Sequence, residues 1–127
     1  MTDEKIKLQA RQARFLRDPV PVRLANLASN FARLQSFTAH PTMGEAAYRV
    51  VHESKHFIEW TALDAALPIQ VELLEVQRHL AHWQLTWTEG WDNVEKRAEI
   101  ANYAALWVQT FLTRSGLLNA SNVSTTS

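Results

Sequence analysis

Glu53 and His56 stand three apart in Glu53-Ser54-Lys55-His56, the Glu-x-x-His spacing that places two metal ligands on one helix face in di-iron bundles. Such a centre needs a second Glu-x-x-His and two further carboxylates. No other Glu-x-x-His occurs, and residues 19–40 hold no Asp or Glu. A three-histidine site built from His52, His56 and one of His79 or His82 is the better metal alternative. Direction argues against it. At about 100° per residue, His52, His56 and Glu59 point nearly opposite the stripe carrying Ala47, Val51 and Ile58. Glu75 and His82 also lie off the apolar stripe of their own segment. Solvated histidines are therefore the favoured reading, and no metal or other cofactor is assigned.

Other chemistries find less support. The chain has no Cys, which excludes thiol catalysis, disulfides and Cys-based zinc sites. It has no G-x-S-x-G and no Gly-rich turn able to cradle phosphate, and its paired carboxylates sit on wet faces. No catalytic residue is assigned. Lys7, Arg11 and Arg14 form a basic face that could meet phosphates, but the segment lacks interleaved aromatics and the net charge of the chain is zero. Nucleic acid is accordingly disfavoured as a partner.

Aromatic residues stand out more than titratable ones. Five Trp occur in 127 residues, and Trp83, Trp87 and Trp91 are spaced four apart as a ladder running off the end of one helix. Trp83 belongs to the expected core, whereas Trp60 lies well off the stripe of its helix. Phe37 and Trp107 are also off the centres of theirs. The helix containing Trp83 carries a second apolar row, Val71, Leu74, Ala81 and Leu85. This is more apolar surface than one bundle seam needs, so Phe37, Trp60, Leu74, Leu85 and Trp107 are the candidate contact residues. The alternative for Trp60 is cover by the N-terminal arm.

The elements that must position these side chains are helices. Three glycines and four prolines fall between periodic segments and divide the chain into five helical pieces, with no sustained alternation of strand type. The first, Asp3–Arg17, is an arm with Ile6, Ala10 and Ala13 on one side. The second runs from Asp18, its expected N-cap, to about Ala39, with Leu24, Leu27, Ala28, Phe31 and Leu34 as its face. Thr42-Met43-Gly44-Glu45 reads as a capping box for the third, whose face is Ala47, Val50, Val51, Ser54, Phe57, Ile58 and Thr61. Pro68 opens the fourth, with Ile69, Leu73, Val76, Leu80, Trp83 and Trp87. Asp92-Asn93-Val94-Glu95 caps the fifth, with Val94, Ala98, Ala101, Ala105, Val108 and Leu112, and Ser115-Gly116-Leu117 stops it. Short loops make neighbours antiparallel, which predicts an all-α, antiparallel four-helix bundle with an N-terminal helical arm. Residues 1–118 form one domain, and 119–127 are expected to be a disordered polar tail whose two N-x-[ST] matches carry no meaning.

Charge is uneven along the chain. Residues 1–40 carry a net +4 and residues 41–75 a net −4. Attraction within one chain is the favoured explanation, and an arm lying on a second copy is the other. No signal-peptide pattern and no membrane-length apolar run occur, so a cytoplasmic setting with no membrane partner is expected. The stretches Asp18–Leu34 (DPVPVRLANLASNFARL), Glu53–Ala66 (ESKHFIEWTALDAA) and Glu72–Trp83 (ELLEVQRHLAHW) resemble small helical proteins from cyanobacteria to which no activity is attached. The resemblance spans residues 18–118 and implies an intracellular all-helical domain. These observations point to a non-catalytic module for protein–protein contact or regulation, binding a protein partner or a second copy as a homodimer. The alternative is a bundle with a His/Glu metal site.

Overall fold

Helix punctuation by Pro, Asn and Gly sets the element boundaries in a computed structural model that describes residues 2–117. The order is α1 (Asp3–Leu16), α2 (Val20–Phe37), α3 (Gly44–Ala62), α4 (Leu67–Leu85), α5 (Trp87–Asp92) and α6 (Val94–Ser115). No strand occurs among the described residues, and no described helix is long and apolar enough to cross a membrane. The tail predicted for 119–127 lies outside the described residues.

Thr2 caps α1 by accepting the Lys5 amide, and Asp3 and Glu4 in the first turn with Arg14 in the last complement the helix dipole. Its apolar contact differs from expectation: Ile6, Ala10 and Ala13 are exposed, and Phe15 is the buried anchor. With few apolar residues, the helix has one buried apolar anchor and polar ties, among them the Arg11–Glu53 ion pair, rather than an apolar stripe. Pro19, in extended conformation, separates α1 from α2 and occupies the cap position expected for Asp18. The Asp18 carbonyl instead accepts from Arg23 Nε at 2.8 Å.

The capping box at Thr42 does not form. Pro41–Met43 winds into a 3-10 turn, Met43 takes the cap position, and Thr42 is exposed. Pro68 lies in the first turn of α4, where its missing N–H costs nothing. The Trp ladder is interrupted. Helix α4 ends at Leu85, and Thr86 (φ −116°, ψ 20°) redirects the chain into the short α5. Indole chemistry explains the turn: Trp87 Nε1 donates to the Gly44 carbonyl at 3.0 Å and Trp91 Nε1 to the Pro41 carbonyl at 2.7 Å. Asn93, rather than Asp92, caps α6, accepting the Lys96 amide at 2.9 Å. Gly116 ends it in the left-handed region (φ 71°), which costs an L side chain energy and glycine none.

Helices α2, α3, α4 and α6 form the antiparallel bundle: α2 packs on α3, α3 on α4 and α6 on α2 at close backbone approach, whereas α4 and α6 meet through large side chains. The buried faces of α2, α3 and α4 are those expected, with Leu24, Leu27, Phe31, Leu34, Val51, Ile58, Leu73 and Leu80 in the interior. Helix α6 is turned by about one residue from its expected orientation. Val94 is 71% exposed, and the interior face is Ile100, Ala104, Trp107 and Phe111. Large side chains removed from water outweigh a more regular row of alanines. Fully buried Ala28 and Ala104 suit the close approach of α2 and α6. Trp83, Tyr103 and Trp107 fill the space between α4 and α6. The charge blocks meet within the chain: Arg11 and Arg33 pair with Glu53, and Arg23 with Asp64.

Candidate functional site

The histidines separate into unrelated surroundings. His52 and His56 share a face of α3, with ring centroids 4.9 Å apart and edge-on. His56 stacks on Trp60 at 5.4 Å, and its Nδ1 lies 3.8 Å from Glu59. Burial, reinforced by the neighbouring charges of His52, Arg11 and Lys55, holds the His56 pKa below its ordinary value, against an opposing pull from Glu59. His79 is on the other side of α4, against Tyr103 at 4.3 Å and Trp107 at 5.6 Å. His82 is exposed near the C-terminal end of α4.

Glu53 does not join His56. Its carboxylate accepts from Arg11, Asn30 and Arg33, so the Glu-x-x-His pair is divided between an ion-pair network and an aromatic stack. Among the described residues, no three His, Asp or Glu side chains are grouped to hold a metal ion. The four histidines of the alternative site are not brought together: His52 and His56 lie on α3 beside Trp60, and His79 lies on α4 against Tyr103. Helix position, which spacing alone cannot give, puts the two pairs on different surfaces.

The five candidate contact residues have three fates. Trp107 is 6% exposed and packs on Phe31 at 5.1 Å and Trp83 at 5.3 Å. It is a core residue, and the turned α6 is the reason. Trp60 is half-buried under the arm, with Phe15 at 5.6 Å and His56 on its face, so it is not a free contact surface. Phe37 is half-buried against the core. Leu74 and Leu85 are open to solvent, at 61% and 86%. With Leu67 and Val71, also exposed, they make an aliphatic row on the side of α4 away from the core. Ala81 continues the row and Arg78 interrupts it, its guanidinium 3.0 Å from Glu75.

Two clefts flank this helix. A groove of about 830 Å³ between α4 and α6 is lined by His79, Tyr103, Leu106 and Trp107, with the Arg114–Glu72 ion pair at one end. A second, of about 700 Å³, lies where Tyr48, Gln84, Trp87 and Trp91 meet. The Thr86 and Thr110 hydroxyls that line these clefts donate to the His82 and Leu106 carbonyls of their own helices. The arm's basic face is partly consumed, because Arg11 is paired with Glu53 while Lys7 and Arg14 face solvent.

Sequence reading missed the buried polar residues Arg23 and Asn30. Arg23 gathers the carbonyls of Leu16, Asp18 and Trp60 and the Asp64 carboxylate, tying the arm to α2 and α3. Asn30 donates to Glu53 and Ser54. A signal existed: both stand beside Leu24, Leu27, Phe31 and Leu34 on the apolar side of α2, where a polar group must find partners. No family model, curated protein or solved structure matches this chain.

Proposed function

We propose that this protein is a non-catalytic helical docking module whose contact face is the outer side of α4. One observation carries the reading: Leu67, Val71, Leu74 and Leu85 are 59–86% exposed along a single face. Isolated exposed leucines are ordinary, but an aligned row is surface that association would remove from water. A helix laid on such a row is a common mode of recognition. Interior packing does not require these side chains, since the bundle seam of α4 is already made by Leu73, Val76, Leu80 and Trp83.

The experiment is partner capture from the protein's own cells with the wild-type chain and with Leu74→Glu/Leu85→Glu. Both positions are solvent-exposed, so the variant should keep its helical circular dichroism and melting temperature. Loss of the captured partner, whether another protein or a second copy, is expected. Undiminished capture by the folded variant would refute the assignment.

A further inference from the structure

The outer face of α4 has a periodicity that goes beyond exposure. Residues 67, 71, 74, 78, 81 and 85 follow each other at intervals of 4, 3, 4, 3 and 4. This is the alternation of a coiled-coil seam, and it lies on the side opposite Leu73, Val76 and Leu80. Five of the six are Leu67, Val71, Leu74, Ala81 and Leu85; the sixth is Arg78. The positions are also symmetric about residue 76: Leu67 mirrors Leu85, Val71 mirrors Ala81, and Leu74 mirrors Arg78.

We infer that the occupant of this face is a second copy of the same chain, its α4 antiparallel to the first about a two-fold axis at the level of residue 76. This rests on the docking role proposed for α4. An isologous contact requires a self-complementary patch. The residues of the seam are not palindromic, but under the two-fold its apolar ends meet as Leu67–Leu85 and Val71–Ala81 and its one charged position falls at the centre. Leu67 of each copy packs on Leu85 of the other at both ends, and Val71 on Ala81 inside them. Charge selects the orientation. At the centre, Arg78 of one copy lies over Leu74 and beside Glu75 of the other, so two Glu75–Arg78 pairs merge into one alternating cluster. A parallel arrangement would set Arg78 against Arg78. A single polar seam position of this kind specifies register while weakening the contact. One pair of helices buries on the order of 1,000 Å² in total, the small end of specific interfaces, so the dimer is weak and reversible.

The absence of cysteine in the chain makes the geometry directly testable. Leu67→Cys and Leu85→Cys are prepared separately and oxidised mildly, alone and mixed. The antiparallel seam gives a disulfide-linked heterodimer in the mixture and little product from either variant alone. Homodimers of each single variant would signify a parallel seam and overturn the inference. So would a wild-type chain that sediments as a monomer from low-micromolar to near-millimolar concentration. Arg78→Glu sets like charges together at the axis and should weaken self-association about tenfold or more, with Glu75→Arg/Arg78→Glu restoring it. A monomeric wild type whose partner capture is abolished by Leu74→Glu/Leu85→Glu rejects the second copy and leaves the docking face standing. A monomer whose capture is unaffected rejects both.

Discussion

Replacing Trp107 with Ala separates a core residue from a contact residue. The ring is 6% exposed and lies among Phe31, Trp83, Tyr103 and His79 at centroid distances of 5.1, 5.3, 5.5 and 5.6 Å. Truncating a buried Trp costs about 3–5 kcal/mol, from the transfer term and the cavity left behind. One edge of the ring borders the α4–α6 groove, so part of the space can fill with water or close, which favours about 3–4 kcal/mol. With a urea m-value of about 1.5 kcal/mol/M for a domain of this size, the midpoint should fall by roughly 2 M at unchanged m. The thermal midpoint should fall by about 10–20 °C. Trp107→Phe keeps an aromatic surface toward Phe31 and Trp83 and should lose less than half as much. Urea unfolding followed by circular dichroism, at two protein concentrations tenfold apart, makes the measurement. A loss below about 1 kcal/mol, or one that depends on concentration, would refute the interior assignment and restore Trp107 as an interface residue.

Gly44→Ala should destabilise although alanine is the better helix former, because a Cβ there would come 2.7 Å from Cδ1 and 2.8 Å from Nε1 of Trp91. The ring is tethered to the Pro41 carbonyl and cannot yield freely, so about 1–3 kcal/mol is expected in the same urea assay, and a stabilised variant would contradict the contact. Arg23→Met removes a charged donor from Asp64 and three carbonyls. It should cost about 2–4 kcal/mol and speed tryptic cleavage after Arg14 and Arg17, and an unchanged cleavage rate would show the arm is held by other contacts. His56 is held below its ordinary pKa of 6.5, so the unfolded chain binds its proton more readily. Its contribution is present above pH 6.5 and is lost as the pH falls through the lower folded value. His56→Gln should therefore flatten the decline in melting temperature between pH 8 and pH 5, and an identical decline in both proteins would remove His56 as the cause.

The bundle itself was legible because helix periodicity is local. Leu24, Leu27, Phe31 and Leu34 recur every three or four residues and need no knowledge of neighbours to be assigned one face, and the faces of α3 and α4 follow in the same way. The second row on α4 was visible for the same reason, through Val71, Leu74, Ala81 and Leu85. Caps were less so. Asp18 and Thr42 are good capping residues by type, but Pro19 and the 3-10 turn at Pro41–Met43 placed each helix cap one residue later. The stop at Gly116 was legible, since a left-handed residue at a helix end is nearly a glycine signature.

What only tertiary structure decided were the matters that depend on a second element. Helix α6 offered two faces, and the choice went to Ile100, Trp107 and Phe111 because α2 and α4 supply Phe31 and Trp83 for them to meet. The same choice moved Trp107 from surface to core. Trp60 was covered because the arm folds back on α3 and sets Phe15 against it, a contact between residues forty-five positions apart. The histidine pairs separated because α3 and α4 turn them toward different neighbours, Trp60 for one and Tyr103 for another. The sequence by itself determined which faces of α2, α3 and α4 are apolar, since that follows from side-chain order along a helix of known pitch. Which apolar surface is buried, and which is left open as on α4, is settled by how many helices compete to cover it, and no single stretch of chain contains that number.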